Sequence, residues 1–167
     1  MKRLAQILLA ASLLLPAPLL AAEEPAIPES DAEVAAHQSA LDLAGAFGND
    51  GFKLRDGHYT GVLKSGQSVV IETNLFAGNQ YWFSVATAEP KSAVAISLYD
   101  ESGKLVKTDD LTTAPQPGTD AAKSDDPSAN SNRAAAGFAP DASGPSYLRL
   151  TETAGSSATF CLIYSYK

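Results

Sequence analysis

The side chains that could do chemistry are few, since the chain holds two histidines, His37 and His58, and one cysteine, Cys161. Glu33 and His37 lie one helical turn apart and could share a metal ion, but two ligands do not complete a site. Cys161 with the two histidines would offer a zinc site or a Cys-His dyad, but it lies in the most apolar segment, which favours a buried, inert thiol. We therefore interpret the histidines as exposed or rim side chains.

Motifs of common enzyme classes are missing from the sequence, among them Gly-x-Ser-x-Gly, Ser-x-x-Lys and His-Glu-x-x-His. Asp100, Asp109 and Asp110 are weak candidate calcium ligands, because calcium takes several converging oxygens, but a solvated charge run is the simpler interpretation. A pair of these carboxylates could serve glycoside hydrolysis if held about 5 to 10 Å apart. We predict no enzyme and no cofactor, with calcium as the single cofactor to test.

Trp82, the only tryptophan, gives the strongest indication of a binding surface. Side chains alternate along a strand, so Trp82 and Gln80 face outward if the two aromatic neighbours of Trp82 face inward. Tyr147 and Arg149 should share the outward face of their own strand. An exposed aromatic flanked by polar groups suits stacking on a sugar ring or anchoring a protein interface. The competing interpretation is that an N-terminal helix covers Trp82.

Residues 1–22 have the features of a secretory signal peptide, with Lys2 and Arg3, an apolar stretch, and Ala21-Ala22 before acidic residues. We predict cleavage after Ala22 and a bacterial periplasmic or secreted protein with no integral membrane span after cleavage. A retained membrane anchor is the alternative, which the short apolar run and its two prolines disfavour.

The formal net charge of −7 disfavours nucleic acid and anionic lipid as partners, because like charges repel. A single cysteine leaves an exported domain without an internal disulfide, so its core must hold the fold. The partners that remain are an envelope protein or a polysaccharide.

The rest of the chain predicts one N-terminal α-helix followed by an all-β domain. Residues 23–30 indicate a flexible lead-in, and a Ser-x-x-Glu capping box begins a helix over 31–47. Period-two segments with Gly-rich turns over 57–167 predict an antiparallel, jelly-roll-like β-sandwich of about eight strands. Residues 109–133 predict a disordered acidic loop. The last strand is apolar on both faces, so it should be central or covered, as by the helix.

The order of these segments resembles a known family. The segments are LKSGQS, LFAGNQYWFSV, VAISLYDESGKLV, AGFAPDASGPSYLRL and ATFCLIYSY. They are similar to the bacterial pre-peptidase C-terminal domain, a small β-sandwich appended to secreted enzymes, over roughly residues 57–166. The resemblance implies a role in substrate binding or secretion. The whole chain also resembles exported bacterial proteins that end in a similar Phe-Cys-Leu-x-Tyr-Ser-Tyr-Lys tail.

Together these features predict an exported, non-catalytic β-sandwich binding module for an envelope protein or a polysaccharide. The alternative is a structural or chaperone-like periplasmic subunit that docks through its N-terminal helix. A glycan hydrolase that uses loop carboxylates ranks third.

Overall fold

The computed structural model describes residues 29–112 and 131–167. The predicted signal peptide, most of the lead-in and most of the acidic loop lie outside these residues. The described residues form one helix, α1 (Asp31–Gly48), and nine strands. The strands are β1 (Lys53–Leu54), β2 (Tyr59–Lys64), β3 (Ser68–Leu75), β4 (Tyr81–Thr87), β5 (Ala93–Tyr99), β6 (Asp109–Thr112), β7 (Arg133–Phe138), β8 (Gly144–Ala154) and β9 (Ser157–Tyr166).

The strands build two antiparallel sheets, as the period-two pattern predicts. Sheet A has the order β1-β9-β4-β7-β6, and β2 pairs with β9 on the same edge as β1. Sheet B has the order β3-β8-β5. The fold is thus an all-β sandwich with a single helix, and the prediction of its fold class is confirmed.

Strands β6 and β7 correct the prediction that 109–133 is a disordered loop throughout. Asp109–Thr112 pairs with β7, from Asp109 opposite Gly137 to Thr112 opposite Ala134. Arg133 begins β7 and is buried, and its guanidinium Nε donates to the hydroxyl of Ser39 at 2.8 Å. The composition does not indicate that the two ends of this segment are strands. An edge strand such as β6 gains its backbone hydrogen bonds from its neighbour and needs few apolar side chains.

The main core lies between the two sheets. It collects the inward-facing large side chains of both, among them Leu63, Ile71, Leu75, Tyr81, Phe83, Val85, Val94, Leu98, Leu148, Leu150, Phe160, Leu162 and Tyr164. Burial of this apolar surface drives the sandwich to close without a disulfide, since Cys161 is a free thiol.

Helix α1 forms a third layer on the outer face of sheet A, where it packs on β4, β9 and β7. Ser30 begins it with the expected capping box: the backbone N–H of Ser30 donates to the Glu33 carboxylate at 2.8 Å, and the N–H of Glu33 donates to the Ser30 hydroxyl at 3.3 Å. Ala36, Ala40 and the other small side chains of the helix stripe meet sheet A. Strand β9 is therefore covered on both faces, as its composition predicts.

Within the described residues, no helix has both the length and the hydropathy needed to cross a membrane.

Candidate functional site

Trp82 lies under the helix. Its indole stacks on the ring of Phe47 with centroids 4.2 Å apart and ring planes 7° apart, and it is partly buried. Gly137, opposite Trp82 on β7, leaves room for the indole, because a Cβ there would lie 2.9 Å from Trp82 Cζ2. The stacking matches the interpretation in which the helix covers Trp82. Gln80 is exposed just before β4 and pairs with Lys167 through two backbone hydrogen bonds of 2.9 and 3.0 Å.

Tyr147 and Arg149 lie on β8, in the other sheet. They face away from the core, since the alternate residues Leu148 and Leu150 are fully buried between the sheets. Arg149 is exposed and its Nε donates to the hydroxyl of Ser68 at 3.0 Å. Trp82 lies on the outer face of sheet A, so the structure does not bring these candidates together into one surface.

The weak calcium candidates lie on different elements of the fold. Asp100 follows β5 of sheet B, whereas Asp109 lies on β6 of sheet A; the side chain of Asp110 is outside the described part of the chain. Asp100 Oδ1 accepts hydrogen bonds from the Ser102 hydroxyl at 2.6 Å and from the N–H groups of Ser102 and Lys104 at 2.9 and 3.0 Å. These hydrogen bonds, the one from the Ser102 side chain first, lower the pKa of Asp100. Its carboxylate therefore closes a turn.

Cys161 is fully buried and packs against Ala36 and Ala40 of the helix. Burial raises the pKa of the thiol to about 12, because a thiolate would be poorly solvated there. At neutral pH the group is a protonated thiol, which is a weak nucleophile and a weak ligand.

A cleft of about 250 Å³ lies at the end of the sandwich where β9 and the turn after β3 meet. It is lined mainly by aromatic side chains with one cation and one amide: Arg55, Phe76, Asn79, Tyr81, Tyr164 and Tyr166. We call this site the aromatic cleft. Phe76 is 55% exposed and Tyr166 is 38% exposed, whereas Tyr81 and Tyr164 are buried.

The aromatic cleft is held by hydrogen bonds on its buried side. The hydroxyl of Tyr81 accepts from the backbone N–H of Phe76 at 2.9 Å and from the Asn79 amide at 3.1 Å, which fixes the turn that presents Phe76. Arg55 places its guanidinium 5.3 Å from the centre of the Tyr164 ring, and its backbone N–H donates to the carbonyl of Tyr164 at 3.0 Å. The exposed Phe76 and Tyr166 thus line the cleft beside two buried tyrosines, Tyr81 and Tyr164.

Lys53 lies beside the aromatic cleft, since it stands opposite Tyr166 in the β1–β9 ladder. The ammonium of Lys167 lies 4.4 Å from the centre of the Phe52 ring, and Phe52 packs with Phe47 and Trp82 on the helix-covered face of sheet A. Arg55 is therefore the cation that lines the cleft, with Lys53 next to it.

Sequence reasoning missed the aromatic cleft because its residues come from distant segments that only the sheet pairing brings together. One signal was present: Tyr164 and Tyr166 are two apart, so they share a face of the last strand. Nothing in the sequence shows that Phe76 and Arg55 lie beside that face.

A second cluster joins the lead-in, the helix and the start of β2. One ligand atom each from Glu29, His37 and His58 lies within 4.8 Å of the other two. The imidazoles stack with centroids 4.1 Å apart, and His58 Nε2 lies 3.2 Å from Glu29 Oε1. The two histidines are thus in contact with each other and partly exposed; the sequence predicts exposed or rim side chains but does not predict their contact.

Comparison of the sequence with protein-family models and with curated proteins finds no match. The resemblance to the pre-peptidase C-terminal domain therefore rests on the quoted segments alone.

Proposed function

We propose that the protein is an exported, non-catalytic β-sandwich that binds an acidic polysaccharide through the aromatic cleft. The observation that carries this proposal is the pair of exposed side chains, Phe76 and Tyr166, that line a cleft with Arg55 beside the buried Tyr81 and Tyr164. The signal-peptide features of residues 1–22 support export, and the resemblance to a substrate-binding appended domain supports a binding role.

Aromatic rings favour a sugar ligand because a pyranose ring presents a flat C–H face that packs on an aromatic face while its hydroxyls stay solvated. Burying that apolar surface contributes on the order of 25 cal/mol per Å². Tyrosine adds a hydroxyl that can hydrogen-bond to sugar hydroxyls at the rim. A pre-formed, partly apolar cleft with a few fixed polar groups is the usual form of a small-ligand site.

The cations favour an acidic sugar over a neutral one. Arg55 is exposed beside the cleft and can make two parallel hydrogen bonds to a carboxylate, such as that of a uronic acid. Lys53 adds charge beside the cleft without a fixed geometry. The negative net charge of the chain opposes an acidic polymer at long range, so the preference for an acidic sugar depends on direct contact with Arg55.

One feature supports a binding role over catalysis. Asp100, one of the carboxylates considered for hydrolysis, has its Oδ1 occupied by three hydrogen bonds within its own turn. Docking of a partner on the apolar stripe of α1 has no comparable support, since that stripe already packs on sheet A.

The test is affinity electrophoresis and calorimetry of the purified protein with alginate, an acidic polyuronate, and with neutral dextran. We expect alginate binding that is weakened about tenfold or more in Tyr166→Ala and in Phe76→Ala, since stacking on one ring is worth about 1.4 kcal/mol in related contacts. Arg55→Gln should weaken alginate binding and make it less dependent on salt.

Tyr59→Ala is the matched control, because Tyr59 is 40% exposed but lies outside the aromatic cleft. It should bind alginate like the native protein. Failure of every polysaccharide to bind would overturn the proposal, as would binding that Tyr166→Ala and Phe76→Ala leave unchanged. Loss in Tyr147→Ala alone would move the site to the outer face of sheet B and would also overturn it.

A further inference from the structure

The cluster of Glu29, His37 and His58 draws on three parts of the chain that are fixed in different ways. His37 lies on α1 next to Ala36, which is fully buried against sheet A. His58 immediately precedes β2, whose whole length pairs with β9. Glu29 precedes the N-cap Ser30. Two imidazoles are therefore held by separately packed elements, and the carboxylate enters from the segment before the helix.

We propose that Glu29, His37 and His58 form a site for a divalent transition-metal ion, with zinc as the matching ion. Two imidazole nitrogens and one carboxylate oxygen are a usual ligand set for zinc with an open fourth position. Calcium and magnesium prefer oxygen ligands only, so the two histidines disfavour both ions.

The distances require only small side-chain movements. Zinc binds nitrogen and oxygen ligands at about 2.0–2.2 Å, so tetrahedral ligands lie about 3.3 Å apart. Glu29 Oε1 and His58 Nε2 are already 3.2 Å apart, and all three ligand atoms lie within 4.8 Å of one another. Closing the remaining gap takes up to about 1.5 Å, and the stacked rings must turn through a rotamer change so that each points a ring nitrogen at the ion.

An ion pair accounts for only part of the cluster. The contact between Glu29 and His58 gives each of these two side chains a partner, but it does not explain why His37 lies beside them. Stacking of His37 on His58 places a second imidazole near the same carboxylate, and a shared cation would accept a lone pair from each of the three groups.

Among the residues that the structure describes, no neighbouring side chain adds a fourth ligand in the proposed site, so the fourth coordination position of the ion would face solvent. The Glu33 carboxylate already accepts the N–H of Ser30 in the capping box, and Cys161 packs among the alanines beneath the helix. The side chains of His58 and Glu29 are 26% and 43% exposed, so the remaining position faces solvent. Water or an external ligand would occupy it.

A bound ion would hold the helix to the sandwich. It would connect the segment before α1, the second turn of α1 and the start of β2, which otherwise meet in few places. Binding to the folded state alone raises stability by mass action, so zinc should raise the thermal midpoint by an amount that grows with the logarithm of its free concentration over its Kd.

The test uses untagged purified protein, because a polyhistidine tag would add competing imidazoles. Calorimetry with zinc chloride should show one ion per chain in the presence of millimolar calcium. Proton NMR should show both histidines, the only two in the chain, shifting together at one equivalent. His37→Gln, His58→Gln and Glu29→Gln should each lower zinc affinity by about 100-fold or more, since even outer-shell partners contribute 10–100-fold.

Two matched controls separate this site from other groups. Glu72→Gln removes an exposed carboxylate on sheet B and should leave zinc binding unchanged. Cys161→Ala should also leave zinc binding unchanged. A large loss of zinc affinity in this variant would show that Cys161 is a ligand and would overturn the proposal. Absence of stoichiometric binding would overturn it, and so would binding that is indifferent to both histidine variants. Polysaccharide binding is measured with a chelator present, so the two proposals fail independently.

Discussion

The two outer faces of the sandwich differ in what covers them. On sheet A, β4 and β9 are buried almost throughout, and their outward residues meet α1. On sheet B, the outward residues of β3 face solvent, among them Val70 at 59% exposure and Glu72. Strands under the helix thus bury side chains on both faces, whereas β3, which no helix covers, alternates between buried and exposed side chains.

The contact between α1 and sheet A is made largely by small side chains. Ala36, Ala40 and Ala44 of the helix meet Ala86 and Cys161 of the sheet. Small residues let the helix approach closely and lose little rotamer freedom, so many weak contacts form at low entropic cost. A larger or charged group at this contact has no space to enter, whereas sheet B tolerates one on its outer face.

The largest expected effect comes from placing a charge at the helix contact. Ala40 is fully buried, so Ala40→Asp should lower the free energy of unfolding by about 3 kcal/mol or more, since an unpaired buried carboxylate is poorly solvated. Val70→Asp, the same charge on the outer face of sheet B, should cost less than about 1 kcal/mol. Urea unfolding followed by circular dichroism measures both; equal losses would show that the two faces do not differ energetically.

A smaller effect is expected where the indole meets the sheet. Gly137→Ala places a Cβ 2.9 Å from Trp82 Cζ2, so the indole must shift, at a cost of about 1–3 kcal/mol. Trp82 is the only tryptophan, and its emission should move to longer wavelength as the stack on Phe47 loosens.

Gly45→Ala is the control on the same layer, because an added Cβ there has nothing within 4 Å. It should raise stability by about 0.5–1 kcal/mol through helix propensity and leave the emission unchanged. An unshifted emission in Gly137→Ala would mean that the indole has room that the structure does not show.

The smallest effect concerns the start of the helix and depends on pH. The backbone N–H of Ser30, the largest cause, lowers the pKa of Glu33 below its ordinary value of 4.5. A carboxyl group with a lowered folded-state pKa contributes stability above its unfolded pKa and loses it as pH falls through the folded one. Glu33→Gln should therefore be less stable than the native protein at neutral pH, with the difference shrinking below pH 4.5.

Thermal unfolding from pH 7 to pH 3 measures this difference. Glu72→Gln removes the same charge from sheet B without a cap and is the reference. A constant difference between Glu33→Gln and the native protein across this range would contradict the assignment of the capping box as its source.

Local sequence patterns predicted the helix and the two-sheet sandwich, whereas the positions of the candidate sites depend on long-range strand pairing. Ser30 and Glu33 are three residues apart, which predicts the start of a helix. Strand β9 is apolar on both faces, which predicts that another element packs on its outer face. Neither pattern gives the strand order. Alternation along each strand predicts that Trp82 and Tyr147 face outward, but it does not show that they lie in different sheets. The pairing of His37 with His58 depends on the rotation of α1 over β2, which no local spacing fixes.

The place of β9 between β1 and β2 on one side and β4 on the other has a consequence for how the chain folds. This strand is the last element in sequence, yet β1, β2 and β4 all pair with it and α1 lies across it. A growing chain can pair β4, β7 and β6 earlier, but it cannot close sheet A onto β1 and β2 or seat α1 before β9 has emerged. Completion of sheet A is therefore non-local and is expected to be slow.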